Sequence, residues 1–131
     1  MQLYLLIAVG GAFGSVLRFF LSGVIASHLG ETFPWGTLIV NVTGSFAIGF
    51  IATFTGPGGR WFVSGDTRLF LMSGICGGYT TFSSFSLQTL NHASEGDWLR
   101  VGGNVAGSLL FCLAAVWLGH VLASRLNSHF P

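Results

Sequence analysis

Three side chains in this 131-residue sequence could hold a small anion without carrying a charge of their own. Asn41 offers a carboxamide whose NH2 group can donate two hydrogen bonds. Phe82 and Phe85 stand three apart, roughly on one helical face, and their ring edges carry the positive part of the aromatic quadrupole. Hydroxyls at Thr80, Thr81, Ser83, Ser84 and Ser86 surround them. Neutral donors of this kind would hold an anion weakly enough for it to leave. A blander use exists for each: Asn41 can serve as hydrogen-bonding glue between helices, and most of the 13 Phe face lipid.

The same stretch begins with Gly74, Gly77 and Gly78. Each Gly costs about 1 kcal/mol in a helix interior relative to Ala, so the cluster predicts a break near the middle of its helix. Non-helical backbone inside a membrane survives only when buried in protein or lining a cavity, and its freed carbonyls can coordinate a cation. The competing outcome is a kink relieved by the Thr and Ser hydroxyls. Elsewhere polar or small residues recur every four positions: Gly10, Gly14, Arg18 and Ser22; Thr37, Asn41, Ser45 and Gly49; Asn104, Ser108 and Cys112, with Gly103 and Gly107 beside the last. Each line marks a helix face that avoids lipid, and the glycines are expected at close helix contacts.

The elements that must position these residues follow from composition. Charged residues make up 7% of the chain and hydrophobic ones 51%, with a mean hydropathy of +0.72; ordinary soluble domains carry about 25% charged residues. A bilayer core needs about 20 apolar residues per helix, and four such spans can be marked, at 3–25, 36–55, 69–90 and 101–123. The expected fold is an all-α, single-domain membrane protein over residues 1–131, with four spans and a broken third helix. Span 1 lacks a basic leading region and contains Arg18, so it reads as a retained helix rather than a signal peptide. Arg60, Arg68 and Arg125 fall on one side, Arg100 and a snorkelling Arg18 on the other. So small a bias is compatible with either orientation, or with two oppositely inserted copies forming an antiparallel dimer; a weak but sufficient single-topology signal is the competing reading.

Several chemistries are disfavoured. With no Lys, five Arg and a net charge of +1, the chain builds no nucleic-acid-binding face. There is no phosphate-binding GxxxxGK[ST] loop. Cys76 and Cys112 lack metal-ligand spacing and read as buried thiols. A small dual-topology, proton-coupled drug exporter is the main alternative, but that coupling needs an intramembrane carboxylate, and Glu31, Asp66, Glu95 and Asp97 all fall in predicted loops. An intramembrane enzyme or haem protein would draw on His28, His92, His120 and His129, of which only His120 lies within a span.

Taken together, these residues resemble the Fluc (CrcB) family of fluoride channels. The likeness runs through Gly10-Gly11, Gly14 and Arg18, through Gly36-Thr37-Leu38-Ile39-Val40-Asn41 and Gly44, and through Gly107-Ser108. Its most specific part is Gly74-Ile75-Cys76-Gly77-Gly78-Tyr79-Thr80-Thr81-Phe82-Ser83-Ser84-Phe85-Ser86. The resemblance implies an antiparallel dual-topology homodimer in a bacterial inner or plasma membrane, with two fluoride pathways lined by both subunits, and no enzymatic activity. By motif position, Asn41 would donate to fluoride, Phe82 and Phe85 would supply ring edges, and Ser83 and Thr37 would lie nearby. Ser108 would line the fourth helix wall and Arg18 an aqueous vestibule. Backbone carbonyls of Gly77 and Thr80 from both subunits would surround a structural Na⁺ on the dimer axis. The sequence departs from the family pattern at Gln88, where many relatives carry Glu, and at Cys112, where a hydroxyl residue is frequent; Ser84 replaces a common Thr.

Overall fold

The computed structural model describes residues 1–128, so His129 lies outside the described residues. The described chain is helical, with no strand among the described residues. Helix α1 spans Gln2–Leu29 and ends at Gly30, whose φ of 82° stops the helix with its N–H still on Ala26 O. Helix α2 spans Trp35–Phe54. The third span is composite: α3 over Gly65–Leu69, a π-helical stretch over Phe70–Cys76, α4 over Gly77–Tyr79, and α5 over Phe82–Ser94. Helix α6 covers Trp98–Ser128. Three helices, α1, α2 and α6, are long and apolar enough to cross a membrane unbroken. The 13 residues of α5 rise only about 20 Å, so this arm crosses a core of about 30 Å only together with the arm before the break.

The expected break is present, displaced from the glycines past Tyr79 to Thr80 and Thr81. Thr80 (φ −86°, ψ 159°) and Thr81 (φ −152°, ψ 115°) are extended. Two of the glycines, Gly74 and Gly78, stay helical and serve close approach. A Cβ on Gly14 would overlap Ile75 O and come within 2.8 Å of Tyr79 N, and one on Gly78 would overlap Gly11 O. Gly10 meets Gly74 in the same seam. Thus α1 lies against the arm before the break, backbone to backbone.

A second close seam joins α2 to α6, where Gly49 faces the Val116 carbonyl and Gly119 faces the Phe46 carbonyl. The expectation that Gly103 and Gly107 make close helix contacts is not met within the chain. Gly103 is exposed with only Phe33 Cε2 near, at 3.5 Å, and Gly107 has only the Phe111 ring of its own helix. The glycine that α6 uses for packing is Gly119, which the GxxxG spacing did not single out.

Candidate functional site

The break releases backbone groups that a helix would have paired. Thr81 N–H, which would have bonded the Gly77 carbonyl, donates instead to Asn41 Oδ1 at 2.8 Å. Asn41 Nδ2 donates in turn to Thr81 O at 3.0 Å. This two-point clasp fixes which way round the carboxamide sits and leaves its second N–H uncommitted. Asn41 therefore holds the break as well as facing a cavity. Thr81 Oγ1 caps α5 by accepting from Ser84 N at 3.2 Å, and Thr80 Oγ1 donates to Cys76 O at 3.0 Å. Because Thr81 N–H and Ser84 N–H are both engaged by side chains, the Gly77 and Thr80 carbonyls leave the helical ladder.

Beside the break lies an inner cavity of about 530 Å³. Asn41 and Ser45 line it from α2, Gly77 and Thr80 from the break, Phe82 and Phe85 from α5, and Ser108 and Cys112 from α6. Six of the residues singled out in the sequence thus converge: Asn41, Phe82, Phe85, Ser108, Gly77 and Thr80. The two rings tilt at 45° with centroids 5.2 Å apart. Phe85 is half-buried, whereas Phe82 is 77% exposed, leaving one wall of the cavity open. Both thiols, Cys76 and Cys112, are free and reach this cavity.

Three further residues of the expected pathway, placed nearby or in a vestibule, lie off this cavity. Ser83 is exposed, its Oγ 3.2 Å from Thr81 Oγ1. Thr37 lies one turn from Asn41 on α2 and lines an outer cavity of about 510 Å³ with Gln88, Asn91, His92, Glu31 and Glu95. Arg18 lines neither cavity. Its Nε donates to Gly78 O at 3.2 Å, joined there by Ser15 Oγ at 3.3 Å. The reason is local: the break deprives Gly78 O of its helical donor, and Arg18 stands one turn past Gly14, where α1 runs closest to that carbonyl. In this chain the guanidinium ties α1 to the backbone before the break.

Sequence reasoning missed two positioning groups. Thr81 is the partner of Asn41; a carboxamide within a span next to a broken helix has to find a backbone pair, and that rule would have located it. Asn104, 1% exposed, donates to Thr89 Oγ1 at 2.9 Å, and Thr89 Oγ1 donates to Phe85 O at 2.7 Å, tying α6 to the backbone that carries the ring. Asn104 stood in a polar line, but nothing in the spacing named Thr89.

Comparison with known proteins adds a family. The family described as CrcB-like protein, Camphor Resistance (CrcB), matches residues 5–120. A protein of Opitutus terrae named fluoride-specific ion channel FluC is 66% identical over 128 residues, covering 98% of this chain and 97% of its own length. Proteins of the same name from Rhodospirillum rubrum (60% identical over 124 residues; 95% of this chain and 96% of its own) and Paramagnetospirillum magneticum (58% over 127; 97% and 99%) are similar throughout.

Proposed function

The chain belongs to the CrcB-like family, and on that footing we propose that it is a fluoride-selective channel that lets cytoplasmic fluoride leave the cell passively. The observation that carries the mechanism is the convergence of Asn41, Phe82, Phe85 and Ser108 on one cavity that holds no charged side chain. Fluoride is small and strongly hydrated, so a narrow path must replace the water it sheds, while binding must stay weak enough for exit. A fixed cation would hold it too tightly. The spare Asn41 N–H and the ring edges each give a modest share, and the Ser108 hydroxyl adds one by turning its proton from Asn104 Oδ1, 3.4 Å away, to the ion.

The outer and inner cavities follow one another along the seam of α2 and α5. Thr37 and Asn41 are four residues apart on α2, about 6 Å along the axis, and Gln88 and Phe85 are three apart on α5. This succession gives the ion a stepwise route. With the cell interior negative, about 2.3 kcal/mol per charge per 100 mV drives an anion outward, so export needs no energy-coupling site. The drug-exporter alternative lacks an inner-cavity carboxylate to carry the proton.

The working unit we infer is an antiparallel, dual-topology homodimer in the bacterial inner or plasma membrane, with two pathways lined by both copies. Its support is the open wall: Phe82, Leu109 and Leu113 line the inner cavity yet are 77%, 60% and 59% exposed. The lining is mostly apolar, but the carbonyls freed at the break and the spare Asn41 N–H would be costly to leave open to acyl chains, and a second copy would close that side. A structural Na⁺ fits the break, where the Gly77 and Thr80 carbonyls of each copy are off the ladder and offer the hard oxygen donors such a cation prefers. When bound it would supply positive charge and cross-link the two breaks.

The test is ion efflux from loaded liposomes containing the purified protein, followed with fluoride and chloride electrodes. Rapid fluoride release with little chloride release is the expected result. Equal release of both ions would overturn the assignment.

A further inference from the structure

The connection from α2 to the third span, residues 55–64, is held as firmly as an element. A helix leaves its last four carbonyls without helical donors, and water commonly takes them. At the end of α2 the protein supplies every one. Thr55 N–H donates to Ile51 O at 3.0 Å, Arg68 Nη1 to Ala52 O at 3.1 Å, Asn127 Nδ2 to Thr53 O at 3.2 Å and Trp61 N–H to Phe54 O at 3.2 Å. Arg68 Nη1 also reaches the buried Thr55 Oγ1 at 3.0 Å. Asn127 Oδ1, on α6, accepts from Arg60 N–H at 2.9 Å, and Gly59 N–H turns back to Gly56 O at 2.8 Å around Gly58, whose φ is 79°. Backbone groups satisfied in this way suit an end set where water is scarce.

What this frame presents is apolar. Trp61 and Phe62, adjacent in the chain, are 65% and 72% exposed. Their level follows from α2, whose 20 residues rise about 30 Å, the thickness of a hydrocarbon core; the residues just past its end stand at a membrane–water boundary. Tryptophan favours that boundary, where its ring lies among acyl chains and its N–H among headgroups. The charge at this end has the matching sign, with Arg60, Arg68 and Arg125 against the single acid Asp66. The second copy inferred above is called for beside the break, not at this end of the spans.

We infer that the 55–64 connection is an interfacial anchor whose partner is the lipid headgroup layer. Trp61 and Phe62 enter the boundary between headgroups and acyl chains, and the basic end of the molecule faces the phosphates. The anchor directly precedes α3, so it fixes the depth at which the broken span begins and, through that arm, the depth of Thr80 and Thr81. This reading stands on the membrane-crossing helices alone, whichever ion the protein passes.

The experiment keeps Trp61 as the sole tryptophan by Trp35→Phe, Trp98→Phe and Trp117→Phe, in vesicles of phosphatidylcholine and phosphatidylglycerol. The phosphatidylcholine is either plain or brominated near the headgroup end of its acyl chains. Bromination is expected to remove about half or more of the Trp61 emission, as contact at the boundary requires, while acrylamide in the water removes little. Quenching by acrylamide without quenching by brominated lipid would put the ring in water and overturn the anchor. Quenching by neither would put it under protein, a second copy included, and overturn it as well. Should the triple variant fail to fold, wild type is compared with Trp61→Phe: the substitution is expected to remove part of the brominated-lipid quenching, and an unchanged value overturns the proposal. Fluoride efflux from the same vesicles tests the channel reading separately, since an anchored loop without fluoride release would remove that reading and leave this one.

Discussion

At the level of single residues, Asn41 does two things with one carboxamide, and a substitution can separate them. Asn41→Leu removes both bonds of the clasp and leaves Thr81 N–H and C=O unpaired, at about 1–3 kcal/mol for each orphaned group. The expected outcome is a lower unfolding temperature in detergent together with lost fluoride flux; lost flux with unchanged stability would show that the clasp contributes nothing. Cys112 is a second probe, since it is half-buried and lines the inner cavity from α6. A small thiol-reactive methanethiosulfonate should slow flux through the wild type and leave Cys112→Ser untouched. Equal inhibition of both would move the reactive thiol to Cys76 or out of the pathway. The side chains that carry the inner cavity were legible as residue types, because an amide, ring pair and hydroxyls amid apolar sequence have few other uses. The places of Arg18 and Thr37 were not, since spacing along one helix gives a face but not the neighbour that face meets.

Among the elements, the third span decides the architecture. Its glycines were expected to mark the break, yet Gly74 and Gly78 mark the seam with α1, and the extended residues are Thr80 and Thr81. Propensity shows that a helix is weak there without showing where it yields. The yield point is set by which orphaned groups find partners, and Asn41 and Thr81 Oγ1 supply those beyond Tyr79. Gly14→Ala should therefore destabilise the fold by about 2 kcal/mol or more, because the new methyl meets backbone atoms of Ile75 and Tyr79 that cannot give way. Gly11→Ala, with nothing within 4 Å of its Cβ position, should be near neutral. Thermal unfolding of the two variants side by side checks this, and equal stabilities would contradict the backbone seam. The released Gly77 and Thr80 carbonyls make a parallel prediction for the cation: replacing all Na⁺ by N-methylglucamine should lower stability and flux together, and full activity without Na⁺ would remove it from the break.

For the molecule as a whole, four spans and a composite third one follow from hydropathy and glycine content, while the missing wall of the inner cavity does not. A sequence pattern separates lipid-facing from protein-facing sides only when the partner lies in the same chain; Phe82, Leu109 and Leu113 look like lipid-facing residues because their inferred partner is another copy. Labelling of a terminal tag from outside intact cells should find both orientations, and a single orientation in a functional homodimer would reject the antiparallel arrangement. The claim on which the account turns is that ring edges and neutral donors stand in for the water of fluoride. Its most direct test is fluoride efflux through the folded Phe82→Ile/Phe85→Ile double variant, isolated at the same oligomeric size as the wild type. The account predicts a fall of about a hundredfold, two lost contributions of roughly tenfold each, about 1.4 kcal/mol apiece. Efflux at the wild-type rate from that variant would contradict it.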